Sequence, residues 1–237
     1  MLRYYSLPLN LISDVEMRIK MAKYTTNISK QDAIKIVVEC AEKFKNELES
    51  KSLLFLCIDK HYRTSYLECR FEAVNYLHLT GLKVREVSDE FGTHKISARD
   101  FYEKCLSHHL TVNDFDFAKD GTTPLKLAVL NHVICKNLSA NEIGDFNSST
   151  PLLRTDKLVG SVTACMGFIN VKGVFTPNTV LNKDVRDYIK DSVRIIATFR
   201  KSNADDMYSE LTYKAKKVDW TRIKIPDELL YLEQLLQ

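Results

Sequence analysis

One histidine and a few cations and short polar side chains stand where chemistry could be done. His78 lies in Tyr76-Leu77-His78-Leu79-Thr80-Gly81, where the leucines alternate with polar residues. If Leu77 and Leu79 enter a core as alternate residues of a strand, His78 and Thr80 share the opposite face. An unperturbed imidazole titrates near neutral pH and can move a proton. A second alternating stretch spans 192–214. Thr198 and Arg200 fall on one face of its first run, and Lys201 points the other way unless the turn begins there. After a polar turn, Met207, Leu211 and Tyr213 share one face, and Tyr208, Glu210, Thr212 and Lys214 the other. Such a polar face suits phosphate binding or proton transfer, and equally suits plain solvation. Asn178 and Thr179 follow a Thr176-Pro177 turn signature, with Asp184, Arg186 and Asp187 close behind. Lys95 and Arg99 flank the start of a helix capped by Ser97, where free amide donors favour an anion.

Other chemistries find less support. No glycine-rich phosphate loop is present, which counts against kinases and Rossmann enzymes. Cys40, Cys57, Cys69, Cys105, Cys135 and Cys165 are widely spaced without a CxxC, and read as free thiols of a reducing compartment. His108 and His109 are adjacent and resemble a helix end; no other cluster has zinc spacing, so no metal and no cofactor is expected. The 237 residues are 45% hydrophobic, enough for a real core, and the formal charge of +3 permits nucleic-acid contact without demanding it. No apolar run approaches a membrane span and the first residues lack a secretion pattern, so a cytoplasmic protein is expected.

The elements that must position these groups follow from periodicity and caps. Ser29 and Asp32 cap an amphipathic helix to about residue 50, with Ile34, Val38, Ala41, Phe44 and Leu48 inward. Residues 51–59 and 66–71 form a hairpin. Ser97 opens a helix to about 110, and Thr122 or Thr123 before Pro124 opens another to about 138. Residues 139–146 read as a short turn or helix, which makes 96–147 a helical section. Strands resume over 157–171. Ile225-Pro226 opens an apolar C-terminal helix that docks back on the domain or meets a second subunit. The fold class expected is α+β: an antiparallel sheet of about four or more strands with N-terminal, middle and C-terminal helices. Residues 1–28 read as an N-terminal appendage, 29–217 as one domain and 218–237 as the C-terminal helix.

Taken together, the 76–81 segment, Phe101-Tyr102, Phe175 to Leu181, Asp184 to Asp187, Phe199-Arg200-Lys201 and Tyr213 to Lys216 resemble the phage-associated branch of the Barnase–EndoU–colicin–RelE superfamily. Val180 and Val185 depart from the leucine and isoleucine of that pattern, both core-type changes. The resemblance implies an antiparallel sheet carrying an RNase site. Its activity would be metal-independent endoribonuclease cleavage of RNA, tRNA or mRNA, by 2'-hydroxyl attack in a phage, toxin or defence setting. On this reading His78 is base or acid, Arg200 a phosphate fork, and Lys214 neutralises developing charge. Thr80, Lys95, Asn178, Thr179, Arg186 and Lys201 would bind substrate, and Tyr213 or Tyr208 would stack a base. RNA is the partner implied, with an antitoxin or immunity protein and a homodimer through the C-terminal helix left open. The alternative is a non-catalytic RNA- or protein-binding module. The geometric expectation is that His78, Arg200 and Lys214 meet on one concave surface.

Overall fold

A computed structural model describes residues 28–89, 92–149 and 153–237, so the appendage expected before residue 28 lies almost wholly outside the described residues. The chain opens with α1 (Lys30–Glu47). The Ser29 hydroxyl accepts the Asp32 amide N–H at 3.1 Å and caps the helix as the sequence implies. The inward stripe is Ala33, Val37, Cys40, Ala41 and Phe44; Ile34 and Val38 are only half-buried. The stripe is therefore rotated slightly from the expected one.

β1 (Lys51–Ile58) and β2 (Thr64–Arg70) form the expected hairpin. β1 is buried on both faces: Leu53, Phe55 and Cys57 enter the larger core, and Leu54, Leu56 and Ile58 enter a second one. That two-sided burial explains its uninterrupted apolar run.

A one-turn helix, α2 (Tyr76–Thr80), follows where alternation predicts a strand. Tyr76, Leu77, Leu79 and Thr80 are all buried and His78 alone is exposed, a pattern no single strand face would give. Gly81, at φ 72°, ends the helix in the left-handed conformation. It closes a helix rather than a strand.

β3 (Leu82–Val84) pairs with β6 (Phe115–Phe117), and β4 (Glu86–Asp89) with β5 (Gly92–Lys95). α3 (Ala98–Leu106) is capped by a reciprocal Ser97–Asp100 box, and α4 (Thr122–Val133) follows. The helical section read over 96–147 thus ends at Val133. β7 (Glu142–Phe146), expected as turn or helix, is a strand of the main sheet.

β8 (Lys157–Gly160), β9 (Cys165–Val171), β10 (Val174–Leu181), β11 (Ile189–Ser202) and β12 (Glu210–Lys214) complete the sheet. Its order is β1-β2-β10-β9-β8-β7-β11-β12, and an added β1–β11 pairing joins the ends of the first seven strands into a ring. All pairings are antiparallel except β2–β10, which meet through one parallel pair, Phe175↔Cys69. The fold is α+β, as the sequence implies, with more strands than the minimum expected. The six cysteines are free. Among the described residues no helix is long and apolar enough to cross a membrane.

β11 departs from the half-buried reading. Ile195, Ile196, Ala197, Thr198 and Phe199 are all at 0% exposure. Ile195 enters the larger core, while Ile196, Ala197 and Phe199 pack in the second core with Leu229, Leu232 and Leu236. The C-terminal segment, a 3-10 turn over Asp227–Leu232 and the short α5 (Glu233–Leu236), docks on its own sheet against Ile196 and Phe199, while Thr198 and Arg200 pair with Phe55 and Leu53 on the side of the larger core. On β12 the pattern shifts too: Met207 is exposed and Tyr208 buried, because pairing starts only at Glu210.

Candidate active site

α2 positions His78. Its first residue, Tyr76, is locked in the core: the phenol donates to the Val37 carbonyl at 2.5 Å, and its ring lies 5.3 Å from Phe44 and 5.1 Å from Tyr102. At the other end, the Thr80 hydroxyl donates to the Leu77 carbonyl and accepts the Leu82 N–H at 3.1 Å. Buried and fully engaged, Thr80 is a helix-ending residue rather than a substrate contact.

The start of α4 latches onto this turn. Thr123 donates to the Gly81 carbonyl at 2.7 Å and accepts the Ala118 N–H at 2.8 Å. One turn position on, Lys126 runs past Gly81, where an added Cβ would stand 2.7 Å from the lysine Cδ. The ammonium crosses to β10 and donates to the Thr179 hydroxyl at 2.9 Å. Thr179 reaches it because β10 carries an irregularity between Pro177 and Thr179 against β9, and such a bulge re-aims side chains. The Thr176-Pro177-Asn178 signature is therefore a bulged strand and not a turn. Asn178 accepts from Thr155 at 2.8 Å and donates to the Arg154 carbonyl at 2.6 Å, which ties the approach to β8 against the strand.

His78, Lys83 and Lys126 feel one another. Loss of hydration lowers the His78 pKa below its ordinary 6.5, and the Lys83 and Lys126 ammoniums oppose a third positive charge. Burial likewise lowers the Lys126 pKa, helped by Lys83 and resisted by Asp120. Asp120 is held by the Thr122 N–H at 3.0 Å and hydroxyl at 2.7 Å. The arrangement is a neutral imidazole at pH 7 beside two cations, one of them fixed by a charge-assisted hydrogen bond.

The other expected residues sit elsewhere. Arg200 bridges Glu47 at 3.1 Å and Glu210 at 2.7 Å, tying the end of α1 to β11 and β12. Lys201, on the opposite face, lies 4.8 Å from the Tyr208 ring centroid and 3.8 Å from Glu68. Lys214 donates to the Leu236 carbonyl and lies 5.3 Å from the Trp220 ring centroid, so it fastens the C-terminal segment. Tyr213 is half-buried against both cores. Arg186 grips Asp184 through Nη2 at 2.6 Å, and Lys95 pairs with Glu86 at 3.1 Å. Arg200 and Lys214 thus share no bonded partner, and the charges that act on His78 are those of Lys83 and Lys126. Lys83 and Lys126 were not singled out in the sequence. The only cue to Lys126 was its place in the first turns of a helix opened at Thr122-Thr123-Pro124, and its approach to Thr179 across 53 positions is not local. Among the described residues no group of His, Cys, Asp or Glu could hold a metal ion.

The Gly81–Lys126 contact can be tested by a paired substitution. Gly81→Ala is expected to destabilise more than Gly121→Ala. Both place alanine at positive φ, near 72° and 71°, but only Gly81 has Lys126 in the path of the new methyl. Left-handed strain alone is worth ~1–2 kcal/mol. Equal losses in urea denaturation would contradict the contact.

The chain belongs to the family of phage-Barnase-EndoU-ColicinE5/D-RelE like nuclease4, whose model matches residues 36–217. Comparison with curated proteins finds no match, and comparison with solved structures finds none.

Proposed function

We propose that the chain is an endoribonuclease that cleaves RNA without a metal, and that its active site is the His78, Lys83, Lys126 and Thr179 cluster. The observation that carries this reading is Lys126, hydrogen-bonded to Thr179 at 2.9 Å, acting with Lys83 on an imidazole whose pKa is lowered first by loss of hydration and then by these two charges. Membership in a nuclease family supports it. A neutral His78 accepts the proton of the ribose 2'-hydroxyl. The 2'-oxygen then bonds to phosphorus as the 5'-oxygen departs, which leaves a 2',3'-cyclic phosphate. The departing oxygen takes a proton from the Lys126 ammonium, and water later returns both groups to their starting states. Lys83 offsets charge on the non-bridging oxygens. Thr179 holds the Lys126 ammonium in place. In this scheme Arg200 and Lys214, first expected in the chemistry, hold the frame.

Incubating the purified chain with tRNA and total RNA in EDTA tests the activity. Fragments ending in a 2',3'-cyclic phosphate are expected. Tight RNA binding with no turnover would instead favour the non-catalytic binding module.

The pH profile carries its own sign. The base works when neutral, so kcat/KM should rise with pH through a His78 pKa lying below 6.5, and fall as Lys126 deprotonates below its ordinary 10.5. Lys83→Gln removes a like charge, makes His78 easier to protonate and should move the acidic limb to higher pH. An acidic limb that does not move on that substitution contradicts the coupling.

A further inference from the structure

The His78 cluster does not end at Lys83. An open cleft of about 590 Å³ begins there, lined by Lys83 and Arg85 from β3 and its continuation, by Lys95 from β5, and by Phe117 to Asp120 from the end of β6. The wall is tied to the site through one hydroxyl: the N–H of Ala118, which lines the cleft, donates to the Thr123 hydroxyl, and that hydroxyl donates to the Gly81 carbonyl. Two of its cations are spent. Arg85 forks onto Asp116, which also takes Lys30 at 2.8 Å, and Lys95 pairs with Glu86. Among the described residues Lys83 and Lys119 have no ion-paired partner and remain available to an anion. Phe117 is half-exposed where it lines the cleft and rests on the larger core, which fixes it as a firm apolar surface.

We propose that this cleft is the subsite for the nucleotide adjoining the scissile phosphate of a single-stranded RNA. Phe117 supplies a stacking face for the base, Lys83 stays on the scissile phosphate where the cleft begins, and Lys119 holds the phosphate beyond that base. The inference rests on the ribonuclease reading. Its volume falls in the range of small-ligand pockets and has room for a nucleotide. An aromatic surface set among cations is how single strands are held without reading sequence. A duplex keeps its bases stacked inside and cannot offer one to Phe117, so the subsite selects for single strands.

The test measures binding apart from turnover. A fluorescent single-stranded RNA dodecamer is titrated with His78→Ala protein by anisotropy, alone and combined with Phe117→Ala or with Lys119→Glu. Each added change should weaken binding five- to twenty-fold. Lys119→Glu, on an exposed residue, should also lower the salt dependence of log K by about 0.7 or more. The duplex of the same sequence should bind at least tenfold more weakly than the single strand. Unchanged affinity in both double variants, no binding of the dodecamer by the His78→Ala protein, or equal affinity for duplex and single strand would overturn the subsite. An acidic peptide that matches the RNA's affinity and shares its sensitivity to Phe117→Ala would overturn it in favour of a protein-docking cleft. If the unsubstituted chain cleaves nothing yet these affinities fall as stated, the ribonuclease reading fails and the cleft stands as an RNA-binding site.

Discussion

Replacing His78 with alanine is expected to lower RNA cleavage by ~10²–10⁴-fold, the range typical of a lost general base. The folded protein should survive the change. His78 is the exposed residue of α2, and its neighbours Leu77, Leu79 and Thr80 carry the packing. Its pKa is lowered by burial of its surroundings and by Lys83 and Lys126, so the imidazole is neutral at pH 7 and gives no ion pair whose loss would weaken the fold. The check is kcat/KM on an RNA oligonucleotide beside a thermal melt. A variant that melts with its parent and cleaves at the parental rate removes His78 from the reaction.

The second large effect is on stability. Phe44 is fully buried in α1, with ring centroids 5.3 Å from Tyr76, 5.7 Å from Tyr102 and 6.4 Å from Phe71. These rings meet edge-on or tilted, the geometries aromatic pairs prefer. Phe44→Ala leaves a cavity that α1, α2 and α3 share and cannot collapse together. The expected cost is ~3–5 kcal/mol, which for a chain of this size lowers Tm by roughly 6–20 °C. The change also reaches the site, because Phe44 backs Tyr76 and Tyr76 opens the helix that presents His78. A melt by circular dichroism within 2 °C of the parent would mean that these rings do not hold α2.

Local signals were legible and distant ones were not. The Ser29 and Ser97 caps, the β1–β2 hairpin and the thiol state follow from neighbours in sequence, and the structure agrees. The 76–81 segment misleads because leucines two apart fit a strand, yet a helical turn ending on glycine satisfies the same residues. What decides between them is burial of Tyr76 and Thr80 together, set by α1, α3 and α4. β11 misleads for a different reason. Its alternation is genuine over a few residues, but both faces are covered: the C-terminal segment packs on Ile196 and Phe199, and Thr198, opposite Phe55, lies on the side of the larger core at 0% exposure. Arg200 and Lys214 look like free cations on a polar face until Glu47, Glu210 and the Leu236 carbonyl are brought to them by parts of the chain far away. His78 and Thr179 stand out in the sequence as a proton-transfer group and a substrate contact. Their common neighbour Lys126 does not, since nothing local says that α4 lies against β10.

The sharpest measurement sets the two cation clusters against each other. Lys126→Met and Arg200→Met are assayed on the same RNA in EDTA, with rates taken per folded molecule below the Tm of each. Arg200→Met leaves Glu47 and Glu210 without their partner and should cost about 1–3 kcal/mol of stability, discounted because both carboxylates remain partly exposed. Its folded fraction should cleave within a few-fold of the parent. Lys126→Met should remain folded and lose at least ~10²-fold in rate, since it removes the proton donor beside His78. A natively folded Arg200→Met protein without activity, beside a fully active Lys126→Met protein, would contradict the site.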